Sequence, residues 1–264
     1  MEFGLDVLAL LALAAFIAGL IDAMAGGGGL IAIPALLAAG VPPVEAIATN
    51  KVQSSFGTTS AVVTFARRRL IDFRRFLWPV VASFAGSVGG AIALQVVDPS
   101  FLTGLVPVLL VAIAAYFLFG PKASETDTRA RLGHAALVAI MFAIGFYDGF
   151  FGPGTGSFMA TALVALFGFG LLSATAHTKL LNLASNVAAL ITLVVGGHVL
   201  WLLGLVMAAA SILGAQVGAR LAVRVGGRAI RPLLVVMSLA LTVKLLAEPG
   251  NPLGEILRGW LGGR

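Results

Sequence analysis

Apolar runs near the length that crosses a bilayer recur along this chain from one end to the other. That pattern constrains its fold more than any single motif. A hydrocarbon core about 30 Å thick takes roughly 20 apolar residues of helix. Backbone groups at that depth must be satisfied within the protein. Ten apolar segments are predicted, at about 5–22, 29–40, 45–66, 76–96, 101–119, 132–149, 155–170, 174–195, 199–221 and 229–247. Hydrophobic residues make up 59% of the 264 and charged residues 11%, about half the charge of a soluble domain. The expected fold is an all-α membrane protein, a single transmembrane domain over 1–264.

The charge is +6, and it sits mostly in loops. It therefore bears on topology and contact with anionic lipid, and does not suggest nucleic acid. With no cysteine there is no disulfide framework and no thiolate metal site. His134, His177 and His198 are too scattered for a metal cluster, so no metal and no cofactor are expected. The N-terminus carries Glu2 and Asp6 where a cleaved signal would be basic, so the first span is expected to be retained.

Two segments are too short. Twelve residues of helix reach only about 18 Å. The short segments at 29–40 and 155–170 each follow a glycine-rich break, Gly26-Gly27-Gly28-Gly29 and Gly152-Pro153-Gly154-Thr155. Irregular backbone at membrane depth is tolerated only inside protein or along a wet cavity. The breaks are therefore candidates for a site, with the short helices crossing or turning back.

The breaks belong to a duplicated pattern. Asp22, the first glycines and Ala48-Thr49-Asn50-Lys51 are matched by Asp148, the second glycines and Ala176-His177-Thr178-Lys179. The aspartates lie 126 residues apart and the lysines 128. At the 128 offset Thr64 also meets Thr192, Gly86 meets Gly214 and Gly90 meets Gly218. The glycine pairs are small-xxx-small spacings that let helices pack closely. Repeat one covers about 1–120, the linker about 120–131, and repeat two about 132–250.

The basic loops reverse between the halves. Arg67, Arg68, Arg69, Arg74 and Arg75 follow the third segment, whereas the matching loop at Gly196-Gly197-His198 has no Lys or Arg. Val97-Asp98-Pro99-Ser100 has no positive charge, whereas its counterpart holds Arg220, Arg224, Arg228 and Arg231. Positive loops face the cytoplasm, so the two five-helix repeats are expected in inverted topology with both termini outside.

Lys51 and Lys179 lie within apolar segments, where an ionisable residue marks a substrate or ion path by default. They suit an anion clamp, or else structural salt bridges of Asp22 with Lys51 and Asp148 with Lys179. Lys51, Ser54, Ser55 and Thr58 share one helix face, as do Lys179, Asn182 and Asn186. These faces serve an anion or helix–helix hydrogen bonds. Helix starts after Gly26–Gly29 and at Gly152, Gly154 and Thr155 would offer backbone N–H groups to an anion. Asp22 and Asp148 are candidates for carrying a proton, and His177 is a third, with packing as its plainer role.

Ile21-Asp22-Ala23-Met24-Ala25-Gly26-Gly27-Gly28-Gly29-Leu30-Ile31-Ala32-Ile33-Pro34-Ala35-Leu36, the Gly40-Val41-Pro42 turn and Ala46-Ile47-Ala48-Thr49-Asn50-Lys51 resemble the TauE/SafE sulfite exporter family, also called the toluene-sulfonate uptake permeases. The resemblance runs through the second copy, Gly145–Leu181, where Pro153 interrupts the glycines and His177-Thr178 replaces Thr49-Asn50. It implies transport of sulfur oxyanions or organosulfonates, in either direction.

The expected function is a secondary transporter of small anions in the cytoplasmic (inner) membrane. It would work by alternating access, with proton coupling through an aspartate as a candidate. Substrate would meet Gly26, Gly27, Gly28, Gly29, Thr49, Asn50, Lys51, Ser54, Gly152, Gly154, Thr155, Lys179, Asn182 and Asn186. Expected partners are the anion, lipid and a second copy in a homodimer. The rival is a passive anion channel. An intramembrane enzyme lacks paired acids or an activated nucleophile, and a metal transporter would need more His, Met or carboxylate. No phosphate-binding loop of the G-x-x-x-x-G-K-[ST] type occurs.

Overall fold

A computed structural model describes residues 3–98 and 130–225. These form eight helices and no strand. They are α1 (Leu5–Ala25), α2 (Gly29–Ala38), α3 (Pro43–Arg67), α4 (Phe73–Val96), α5 (His134–Phe150), α6 (Thr155–Ala165), α7 (Leu171–Val195) and α8 (Trp201–Val225). Each matches one predicted apolar segment. The segments at 101–119 and 229–247, most of the linker, and Arg228 and Arg231 lie outside the described residues.

α1, α4, α7 and α8 are long and apolar enough to cross a membrane. α3 is as long but carries Glu45, Lys51 and Arg67. The short helices are shorter than predicted. Gly40 at φ +82° ends the turn after α2, and Gly168 at φ +71° follows α6. Pro43 starts α3 two residues early, in the first-turn position that tolerates a missing N–H.

Polarity is distributed as lipid requires. Lys51, Lys179, Asp148, Asn50, Asn182 and Asn186 are buried, while Leu10, Leu13, Trp78, Phe142, Trp201, Leu205 and Leu213 are exposed. In water this exposed apolar belt would be costly; in lipid it is the favourable face. Trp78 and Trp201 lie near helix starts, where interfacial anchors belong.

The packing runs in one order. α1 lies on α8, α8 on α3, α3 on α7, α7 on α4 and α4 on α5, with α2 and α6 tucked beside them. Matched contacts recur at both outer pairs. A side chain at Gly86 would strike the backbone of Phe142, and one at Gly90 the backbone of Phe146. Gly214 and Gly218 lie likewise against the backbones of Phe16 and Leu20. Gly145 abuts the backbone of Ser83 as Gly19 abuts that of Ser211.

Hydrogen bonds fix the directions. Near the start of α3, Thr49 Oγ1 accepts from the backbone N–H of Leu200, just before α8, at 3.1 Å. Near the start of α7, His177 Nε2 accepts from the backbone N–H of Asp72, just before α4, at 2.9 Å. Each helix thus begins beside the turn that ends the other, so α3 and α7 run antiparallel. Their lysines each sit eight residues past the helix start, about 12 Å along the axis, from opposite ends.

Candidate functional site

The two glycine breaks meet inside the molecule. Gly26, at φ +83°, has no room for a Cβ, because the backbone of Gly156 occupies that place. Ser157 donates from its backbone N–H to Gly26 O at 3.2 Å and from its hydroxyl to Ala25 O at 2.5 Å. Gly29 faces Pro153. The starts of α2 and α6 are thereby held together between α3 and α7.

Around this crossing lies a polar pocket lined by Asp22, Gly26, Gly29, Asn50, Lys51, Ser54, Asp148, Gly152, Gly154, Gly156, Asn182 and Asn186. Its free volume is about 10 Å³, the space of about one water. A sulfonate would not fit without an opening of the surrounding helices.

The charges pair across the halves. Lys51 Nζ lies 3.0 Å from Asp148 Oδ1, and it donates to Asp148 O at 2.6 Å and to Asn186 Oδ1 at 3.2 Å. Lys179 Nζ lies 2.9 Å from Asp22 Oδ2. The within-half pairs, which the sequence offers as the alternative to an anion clamp, are not the ones formed. Because α3 and α7 run antiparallel, each lysine reaches the opposite half's aspartate. The same reversal reassigns the amides: Asn186, on the helix of Lys179, serves Lys51, and its Nδ2 donates to Asn182 Oδ1 at 3.1 Å.

The two pairs differ. Asp148 is 2% exposed and its Oδ2 is buried without a hydrogen-bond partner. Asp22 is 20% exposed, and its Oδ1 accepts from the N–H of Gly28 at 3.4 Å. The hydroxyls of Ser55, Thr58 and Thr178 are also buried and unpartnered.

Several candidates lie off the pocket wall. Gly27, Gly28, Thr49, Thr155, Lys179 and His177 do not line it. Gly26 N–H is bonded to Asp22 O and Gly28 N–H to its carboxylate, so these two donors are already committed. Thr155 Oγ1 donates to Gly152 O at 2.7 Å and closes the turn before α6. His177 stacks on Phe76 with ring centres 4.0 Å apart, and its Nδ1 donates to Ser173 O at 2.8 Å. Both ring nitrogens are thus engaged away from the pocket. Gly156 was not expected at the site. The Gly154-Thr155-Gly156 spacing is the only sign of it in the sequence.

Among the described residues no cluster of His, Cys, Asp and Glu could hold a metal ion. The profile of the sulfite exporter TauE/SafE family matches residues 11–245. A probable membrane transporter protein of Sinorhizobium sp. is 47% identical, covering 99% of both chains. One from Haemophilus influenzae is 44% identical, covering 95% of this chain and 98% of its own. The probable membrane transporter YfcA of Escherichia coli K12 is 42% identical, covering 97% and 94%. No solved structure matches the chain significantly.

Proposed function

The chain belongs to the sulfite exporter TauE/SafE family, and we propose that it is a secondary transporter of small sulfur-containing anions, sulfite or organosulfonate. It is a multi-pass membrane protein with relatives named as membrane transporters. The observation that carries the substrate class is the seam: two buried lysines, one from each half, beside a pocket where two glycine breaks cross. Buried ammonium groups demand a negative partner. A carboxylate supplies it here, and a substrate anion would take over that role.

Lys51 would bind the anion directly, with Asn186, Asn182, Asn50 and Ser54 donating beside it. Lys179 would balance charge from the other half. A pocket this small supports an occluded state, from which one part of the molecule moves against the rest to open either side.

The matched glycine contacts and the antiparallel α3 and α7 support two inverted five-helix repeats. With Arg67–Arg75 in the cytoplasm, α3 and α8 start on the outer side.

Uptake of sulfite, sulfate, thiosulfate, taurine and sulfoacetate into proteoliposomes tests the reading. Saturable uptake of at least one sulfur anion is expected, and per folded molecule it falls at least about ten-fold in Lys51→Ala. A transported panel member that Lys51→Ala carries as well as wild type would refute the clamp. Uptake that is fast but never saturates would favour the channel.

A further inference from the structure

We propose that the Lys51–Asp148 pair makes transport an anion–proton symport, with Asp148 as the proton carrier and one proton bound per monovalent anion. This rests on the anion reading above and adds its coupling.

Charge must balance in so small and largely buried a space. Among the described residues the pocket region holds two ammonium groups and two carboxylates, Lys51, Lys179, Asp22 and Asp148. α2 and α6 bring no titratable side chain to it. On α4, Arg74 and Arg75 lie in the first, exposed turn; on α8, Arg220 and Arg224 are exposed near its end. On α7, His177 is engaged with Asp72 and Ser173. Tyr147, next to Asp148 on α5, donates its hydroxyl to Pro153 O at 2.7 Å. The site is therefore neutral as it stands.

An anion that replaces the carboxylate as the negative partner of Lys51 displaces Asp148 Oδ1. All the Lys51 donors already have acceptors: Asp148 Oδ1, Asp148 O and Asn186 Oδ1. Displacement would leave a carboxylate buried without its cation, which is strongly unfavourable. A proton on that carboxylate removes the cost. The exchange balances: the Lys51–Asp148 ion pair, one monoanion and one proton become a Lys51–anion pair and a neutral carboxylic acid. No bond other than the O–H forms, and the site stays neutral.

The assignment to Asp148 over Asp22 follows from their surroundings. Asp148 Oδ2 is buried without a partner, so a proton can be added there without breaking an existing hydrogen bond. Asp22 holds Gly28 N–H with one oxygen and Lys179 with the other, so protonating it would loosen the first glycine break.

Methanesulfonate stays a monoanion across the working pH range, so any proton taken up belongs to the protein. Calorimetric binding in two buffers of different ionisation enthalpy counts those protons. Wild type is expected to take up about one proton per anion, with affinity falling about ten-fold for each unit of rising pH. Asp148→Asn is expected to bind with no proton uptake and no such slope. His177→Gln is expected to keep both.

Binding by wild type without proton uptake overturns the symport and leaves the anion reading standing. Full proton uptake in Asp148→Asn overturns the assignment. No binding of methanesulfonate or any sulfur anion by wild type overturns both. Should Asp148→Asn fail to fold, Asp22→Asn takes its place: zero proton uptake in wild type, or loss of uptake in Asp22→Asn or His177→Gln, refutes the proposal.

Discussion

Lys51 shows how a buried charge is kept in an apolar protein. At 1% exposure it has given up its water, and three acceptors stand in for it. Removing one partner of such a pair leaves the other charge uncompensated and costs about 3–5 kcal/mol. Lys51→Ala should therefore lower thermal stability in detergent strongly. Adding Asp148→Asn should recover most of the loss, and adding Asp22→Asn should not. The reverse order of rescue would mean that the pairs lie within the halves. His177 illustrates a different constraint. It accepts the N–H of Asp72 as Thr49 accepts that of Leu200, so unlike side chains fill matching structural positions. His177→Ala removes the acceptor of that N–H and opens space beside Phe76, a loss of about 0.5–3 kcal/mol. Anion uptake per folded molecule should remain near wild type, measured in proteoliposomes with the protein content matched.

Among elements, the glycines decide how closely helices approach. Gly90 lets the backbone of α4 touch α5 at Phe146, and Gly218 lets α8 touch α1 at Leu20. Gly90→Val or Gly218→Val cannot be accommodated by a side-chain shift, because the obstacle is backbone. Either should sharply reduce folded protein on size exclusion. Gly26→Ala is a narrower test. Its φ of +83° disfavours any Cβ, and the Cβ would meet Gly156, so the two breaks could no longer cross. Loss of transport beyond any loss of folded protein is expected. Wild-type uptake in Gly26→Ala would separate the crossing from the transport site.

In the whole molecule, the eight apolar segments that fall among the described residues all appear as helices, because lipid leaves the backbone few alternatives and hydrophobic runs report their own length. The duplicated Asp–glycine–Lys pattern also pointed to the pocket: Asp22, Gly26, Gly29, Asn50, Lys51, Ser54, Asp148, Gly152, Gly154, Asn182 and Asn186 all line it. What the chain order conceals is partnership. Asp22 and Lys51 lie in the same half of the sequence, and the antiparallel placement of α3 and α7 sends each lysine to the other half's acid. His177 was similarly opaque, since Asp72 is 105 residues away. The topology has its own test, helped by the absence of native cysteine. Arg68→Cys and Gly197→Cys should react with impermeant thiol reagents from opposite faces of the membrane. Reaction from the same face would contradict the antiparallel arrangement.

One anion should sit at the seam between the halves. The most direct measurement is substrate protection of a single cysteine from each side of the pocket, Ser54→Cys on α3 and Asn182→Cys on α7. A transported sulfur anion should slow alkylation at both positions, with half-protection at the same concentration. Protection of neither cysteine, in protein that still transports, would place the substrate elsewhere and contradict the account.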